Sequence, residues 1–184
     1  EHEVKEFTLS VLTEDKAGLV NHITIIFNRR KININSLNVS TTEVKGVSRF
    51  TIVVESTKEK ITKVLNHINK LVDVIAAFLY EINEIYYQEI ALYKLSTKIF
   101  MKGDDVERII KAHGAEILII EEDHTIIQKT GSKKETQNLY SELEKFGEVL
   151  EFARSGRVAL SKKKRKTVNF IKRLEKIKSN KLNL

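Results

Sequence analysis

Residues 13–20, Thr13-Glu14-Asp15-Lys16-Ala17-Gly18-Leu19-Val20, connect the first predicted strand of the chain to its first predicted helix. Before them, residues 4–12 alternate apolar and polar side chains, which predicts a half-buried strand. After them, residues 18–30 carry apolar residues at the spacing of one helical face: Leu19, Val20, Ile23, Ile26 and Phe27. The stretch therefore predicts a strand-to-helix turn with Gly18 at the start of the helix.

Four more elements follow in the first half of the chain. Residues 33–41 and 47–55 alternate and are rich in β-branched side chains, so they predict a hairpin closed by residues 43–46. Residues 57–69 predict a helix with one apolar face, and residues 72–80 predict another strand. The resulting order is strand, helix, strand, strand, helix, strand.

The second half repeats this order at a period of roughly 80 residues. Strands are predicted at residues 89–96, 116–120, 125–129 and 147–153, and helices at residues 104–113 and 133–146, the first of them stopped by Gly114. The fold class is α+β, with two tandem ferredoxin-like βαββαβ domains at residues 1–80 and 81–161. We expect one face of each sheet to be uncovered, with Ile52 and Val54 on it, and hence a homodimer.

Composition excludes several classes of protein. The chain has no cysteine, which rules out disulfides, a thiolate nucleophile and cysteine metal sites. No apolar run approaches the roughly 20 residues of a membrane span and no signal peptide is recognisable, so we expect a cytoplasmic protein. The five histidines never fall at metal-ligand spacing, and no nucleophile elbow or phosphate-binding loop is present. We expect no catalytic and no metal-binding residues.

The positive charge is concentrated at the end of the chain. From residue 161 onward ten basic residues stand against the single acid Glu175, a net charge of +9; the whole chain carries +7, so the preceding body carries −2. Val168, Ile171, Leu174, Glu175 and Ile177 form one stripe, mostly apolar, with Phe170 beside it, so residues 162–184 predict a basic amphipathic helix. It would dock on an acidic protein, an anionic polymer or a membrane, or remain solvated.

The turn before the first helix has the chemistry to hold a free amino acid. The backbone N–H groups of Ala17, Gly18 and Leu19 lack helical partners and lie at the positive end of the helix dipole, so they would donate hydrogen bonds to a carboxylate. Asp15 would bind the ammonium group, and Asn33 offers a donor and an acceptor. The alternatives are that Asp15 and Gly18 only cap the helix and that Asn33 only makes a local turn.

Six stretches carry a family resemblance. They are LSVL at residues 9–12, EDKAG at 14–18, NINSLNV at 33–39, SRFTIVV at 48–54, KLVDV at 70–74 and ARSG at 153–156. Together and in this order, they resemble the regulatory small subunits of acetohydroxyacid synthase, also called acetolactate synthase. The first half is similar to the ACT domain of that family, and the resemblance covers about residues 4–161.

The resemblance implies a regulatory chain without an active site or cofactor of its own. Its partner would be a catalytic large subunit that uses thiamine diphosphate, FAD and magnesium to make acetolactate or acetohydroxybutyrate. The small subunit would activate this partner and convey feedback inhibition by valine, leucine or isoleucine. The first domain would sense the effector, and the second would activate the catalytic subunit.

The resemblance also implies which residues act. The effector would bind Asp15, Ala17, Gly18, Leu19, Asn33 and Ile34 at a site between two paired domains, and Arg154, Ser155 and Gly156 would contact the catalytic chain. Two positions depart from the family pattern, because Asp15 stands where asparagine is frequent and Lys31 where glycine is common. If residue 31 keeps a left-handed conformation, lysine costs about 1 kcal/mol relative to glycine.

Two other functions share this order of elements. An amino-acid sensor for a different enzyme would look the same in the first half. An RNA-recognition module would need exposed aromatic side chains on its central strands, where the sequence offers only Phe50 and Tyr93.

Overall fold

The computed structural model describes residues 3–102, 105–147, 149–163 and 168–172. The chain divides into two compact units, one formed by residues up to Tyr86 together with residues from Ala159 onward, and the other by Tyr87–Val158. Residues 81–86 and 159–161, which we expected in the second domain, thus group with the first unit. Each unit contains the predicted βαββαβ order, so the α+β class with two ferredoxin-like domains is confirmed.

The first unit is an antiparallel sheet with two helices on one face. Its elements are β1 (Val4–Glu14), α1 (Leu19–Asn28), β2 (Ile34–Thr41), β3 (Val47–Thr57), α2 (Lys58–Ile68) and β4 (Val74–Tyr80). The strands lie in the order β2-β3-β1-β4, so β2 and β4 are the edges. Phe7, Leu9 and Val11 of β1 form the core together with the apolar faces of both helices.

The end of α1 bears out the prediction for Lys31. The Ile32 N–H donates to the Phe27 carbonyl and the Lys31 N–H donates to the Asn28 carbonyl, the two bonds of a Schellman motif. Lys31 occupies its left-handed position with φ 52°. A β-carbon is unfavourable in this conformation, so lysine strains the backbone where glycine would not.

The second unit repeats the first. Its elements are β5 (Ile85–Ser96), α3 (Asp105–Ala112), β6 (Glu116–Ile120), β7 (His124–Gly131), α4 (Lys133–Glu144) and β8 (Val149–Arg154), with strand order β6-β7-β5-β8. The first two residues of β5 group with the first unit. Gly114 closes α3 with the same pair of hydrogen bonds as Lys31 and has φ 59°. Ser132 and Glu135 form a reciprocal capping box at the start of α4.

The expected uncovered face of the first sheet was assigned wrongly. Ile52 and Val54 are fully buried in the core on the helix side. The opposite face of β3 carries Arg49, Thr51 and Val53, and the last two are also buried. A strand that is buried on both faces has no polar face to mark the solvent side, so the sequence could not show which of its side chains face the helices.

Two features lie outside the two βαββαβ repeats. A short strand β9 (Val158–Ser161) was not predicted, and the Lys162 N–H after it donates to the Glu84 carbonyl within the first unit. Residues 168–172 are helical, in agreement with that part of the predicted tail helix. Leu174, Glu175 and Ile177 lie outside the described residues.

Candidate functional site

The turn between β1 and α1 is held by hydrogen bonds from two neighbouring strands. The Asp15 N–H donates to the Gly46 carbonyl at 2.9 Å, and the Ser48 hydroxyl donates to the Asp15 carboxylate at 3.1 Å. The Glu14 N–H donates to the Asp73 carbonyl at 2.9 Å. The Asp15 carboxylate is therefore attached to β3, and it does not cap α1.

Lys16 forms a small ionic cluster beside this turn. Its Nζ lies 2.7 Å from the Asp73 carboxylate and 2.6 Å from that of Glu14. Hydrogen bonds to these two carboxylates raise the pKa of the Lys16 ammonium. The cluster is exposed, so it orients the turn more than it stabilises the fold.

The start of α1 is open to an anion. Gly18 is the N-cap residue, with φ 87°, and within the part of the chain that the structure describes no side chain caps the helix and no acid lies in its first turn. A β-carbon at Gly18 would meet no atom within 4 Å, so glycine is needed for the backbone conformation and not for space. The uncapped N–H groups can donate hydrogen bonds to a carboxylate, and the positive end of the helix dipole favours its negative charge.

The predicted site residues differ in what they can offer. Leu19 is buried in the core, so its backbone is the part available to a ligand, whereas Ile34 is half-buried and packs against the same core. Ala17 and Asn33 are exposed. The Asn33 side chain borders a shallow depression with Lys31, Asn35 and Glu55.

The structure places the two halves of the predicted site at opposite ends of one sheet. Ile34 pairs with Val54, which pairs with Phe7, whereas the turn follows Glu14 at the other end of β1. Seven residue steps separate Phe7 from Glu14, or about 23 Å at the rise of a strand. Asn33 and the turn of the same chain therefore cannot contact one amino acid together.

Arg154 and Ser155 have partners inside the second unit. The Arg154 guanidinium pairs with the buried Glu89 carboxylate at 3.1 Å. The Ser155 hydroxyl accepts from the Ile90 N–H, and the Ser155 N–H donates to the Ile90 carbonyl. The buried Arg157 stacks on the Tyr87 ring at 4.0 Å. Arg154 and Ser155 thus have structural roles within the second unit.

Several residues that shape these places were not singled out from the sequence. Ser48 in β3 and Asp73 just before β4 support the turn, and they lie 33 and 57 residues along the chain from their partners Asp15 and Lys16. Glu89 is an acid inside a sheet, and its neighbours Arg154 and Arg157 come from the far end of the unit. No local pattern marks such contacts; only the strand register brings these side chains together.

The aromatic residues required by the RNA-binding alternative face the core. Phe50 is buried against the helices, and Tyr93 is buried with its hydroxyl bonded to the Thr136 carbonyl at 2.7 Å. Neither ring is available to stack on a base. Among the described residues no group of acids and histidines is arranged to hold a metal ion. No described helix is both long enough and apolar enough to cross a bilayer.

Comparisons with known proteins agree with this architecture. Residues 9–76 match the model of the AHAS small subunit-like ACT domain, and residues 88–163 match the model described as small subunit of acetolactate synthase. The acetolactate synthase small subunit of Mycolicibacterium smegmatis is 34% identical over 155 residues, which cover 84% of this chain and 90% of the relative. That of Mycobacterium bovis is 33% identical over 158 residues, which cover 86% and 93%.

A solved structure shows the same fold. The acetolactate synthase small subunit of Thermotoga maritima aligns with a TM-score of 0.78 at 24% identity, covering 88% of this chain and 99% of the other. Both domains are thus present in the family's order, and the two mycobacterial relatives align over nearly their full length. The chain belongs to the acetolactate synthase small-subunit family.

Proposed function

We propose that this chain activates the catalytic large subunit of acetolactate synthase and conveys feedback inhibition by valine, leucine or isoleucine. Thiamine diphosphate, FAD and magnesium would reside on the catalytic partner. The first unit binds the effector and the second transmits its binding, while residues 154–156 contribute to contact with the catalytic chain. The observation that supports this proposal is the uncapped start of α1, which can bind a carboxylate, within a first unit that matches the small-subunit ACT domain.

Two copies can bring these halves together through β2. It is an edge strand, so a second copy can pair with it antiparallel across a twofold axis. Such pairing places the start of one β2 beside the end of the other. Thr41 at that end pairs with Ser48, which holds Asp15. Asn33 of one copy would then lie near the turn of its partner.

Two exposed valines of the first unit are candidates for burial in this pairing. Val20 on α1 and Val39 on the helix side of β2 are exposed by 45% and 43%, and they could be buried between copies. Each dimer would contain two effector sites, each with the helix start of one copy and Asn33 of the other. Effector binding would then depend on dimer geometry, and it could shift the dimer only if the site differs between two states.

Thermal unfolding with amino acids tests effector binding. Valine, leucine and isoleucine should raise the midpoint, because ligand at 100 times its dissociation constant adds about 2.7 kcal/mol. Glycine and lysine serve as controls. A shift of the same size with glycine would contradict selection of a branched side chain.

Activity of the mixed subunits tests the regulatory role. Adding this chain should raise acetolactate formation by the catalytic subunit, and the effector should reverse the gain. Asp15→Ala or Asn33→Ala should abolish inhibition and leave activation largely intact. If either folded variant loses activation, the division of labour between the units is wrong. Effector binding without activation of the catalytic subunit would instead favour a sensor for a different enzyme.

A further inference from the structure

Residues 168–172 cover part of the first sheet on the face away from its helices. Ile171 is 3% exposed and forms an apolar cluster with Leu12 and Val47. Phe170 packs against the same cluster, with its ring 5.5 Å from that of Phe78. Val44 and Ile75 complete the contact surface. This segment lies beyond residue 163, where the match to the small-subunit model ends.

The cluster lies next to every strand that holds the turn at residues 15–19. Leu12 is two residues before Glu14, and Ile75 is two residues after Asp73, whose carbonyl accepts the Glu14 N–H. Val47 lies between Gly46 and Ser48, the two residues that bond to Asp15. One apolar contact from outside the matched region thus connects the ends of β1, β3 and β4.

We propose, on the basis of the effector function above, that Phe170 and Ile171 are positioning residues for the effector turn. Their docking keeps the three strand ends in register, so that Asp15 and the start of α1 are already arranged for the ligand. Loss of the contact loosens the turn and weakens effector binding, because part of the binding energy must then order it. By linkage, effector binding in turn favours the docked segment.

The variants change the contact without touching the turn. Ile171→Ala in the full chain removes the most buried side chain of the segment. Ile171→Leu keeps its volume and should behave like the parent chain. Val168→Ala is the matched control, because Val168 lies in the same helical segment but is 38% exposed.

Amide hydrogen exchange tests the positioning role without any ligand. Ile171→Ala should raise exchange at the Glu14 and Asp15 amides about tenfold relative to amides near Phe7 and Val54 at the other end of the sheet. Val168→Ala should change neither group. Equal acceleration at both ends would show a general loss of stability and would overturn the positioning role.

Calorimetric titration with valine measures the consequence for binding. Ile171→Ala should weaken valine affinity about fivefold or more, a typical coupling between sites, and Ile171→Leu should restore it. Unchanged affinity with a released segment would overturn the coupling. If the parent chain binds no branched-chain amino acid, the effector proposal fails, whereas the exchange pattern still decides whether residues 170–171 brace the turn.

Discussion

Replacing Lys31 with glycine should make the protein more stable, although it removes a side chain. Lys31 holds the left-handed position of the Schellman motif after α1, with φ 52°. A residue with a β-carbon is disfavoured there by about 1–2 kcal/mol relative to glycine. Glycine gains freedom in the unfolded chain, which offsets about 0.4–1 kcal/mol of this advantage. The midpoints of the two ranges leave a net gain of about 0.8 kcal/mol.

The internal repeat supplies the comparison for this estimate. Gly114 closes α3 with the same two hydrogen bonds and φ 59°, so the second unit already has the residue that the first lacks. Gly114→Ala should therefore destabilise the protein by about 1 kcal/mol. A β-carbon at Gly114 would meet no atom within 4 Å, so the loss would reflect backbone conformation and not a clash.

Urea and thermal unfolding followed by far-UV circular dichroism measure the effect. For a chain of this size, the expected gain corresponds to roughly 1–4 °C in the midpoint. Lys31→Ala is the decisive control, because it removes the charged side chain but keeps the β-carbon. If Lys31→Ala stabilises as much as Lys31→Gly, or if Lys31→Gly gives no gain, backbone strain at residue 31 is not the cause.

Three further substitutions test other parts of the structure. Thr13→Val should be neutral or raise the free energy of unfolding in urea by up to about 1 kcal/mol. The reason is that the Thr13 hydroxyl is buried without a hydrogen-bond partner among the described residues. A clear loss of stability would reveal a partner for this hydroxyl. Glu89→Gln should cost about 3 kcal/mol, because it removes the buried carboxylate that pairs with Arg154 and lies 4.0 Å from the buried Arg157, whereas the exposed Glu151→Gln should cost little. Tyr93→Phe should cost about 1 kcal/mol at neutral pH through loss of the bond to Thr136. Burial raises the pKa of Tyr93 from 10.0 to about 12, so the phenol ionises first in the unfolded chain and wild-type stability falls between these pH values. The stability difference between wild type and Tyr93→Phe should therefore shrink over that range. A difference that stays constant would contradict the raised pKa.

Local patterns were sufficient for the elements and their order. The helix period in α1 and the alternation in β1 depend on neighbouring residues, so their predicted bounds agree with the structure to within about two residues. The strain at Lys31 was also predictable, because helix ends have few ways to close. The match between the two halves followed from the repeated order of elements.

Contacts between distant segments were not predictable in the same way. Ile52 and Val54 were assigned to the wrong face because Val53 and Thr51 are also buried, and alternation cannot orient a strand that is covered on both sides. Val168 and Ile171 were predicted to lie on one stripe of the tail, but Val168 is exposed and Ile171 is buried, and the surface that Ile171 covers depends on tertiary packing. The support of Asp15 by Ser48 likewise depends on the register of β1 with β3.

The separation of Asn33 from the turn also changes the meaning of the predicted site. From the sequence, Asp15, Gly18 and Asn33 were predicted to contact the same effector. The strand register puts Asn33 about 23 Å from the turn within one chain. If all these residues bind one effector, two chains must contribute to the site. Effector binding is then coupled to the pairing of the first units, and each favours the other.

Mixing two inactive variants tests the shared site most directly. Asp15→Ala and Asn33→Ala chains should each fail to bind valine in titration calorimetry, since every site in either homodimer is damaged. After unfolding and refolding as an equal mixture, half of the dimers should pair one chain of each kind, and one of the two sites in each would be intact. Valine binding should then return to about a quarter of the wild-type capacity. Absence of binding after confirmed mixing would contradict a site formed between two copies.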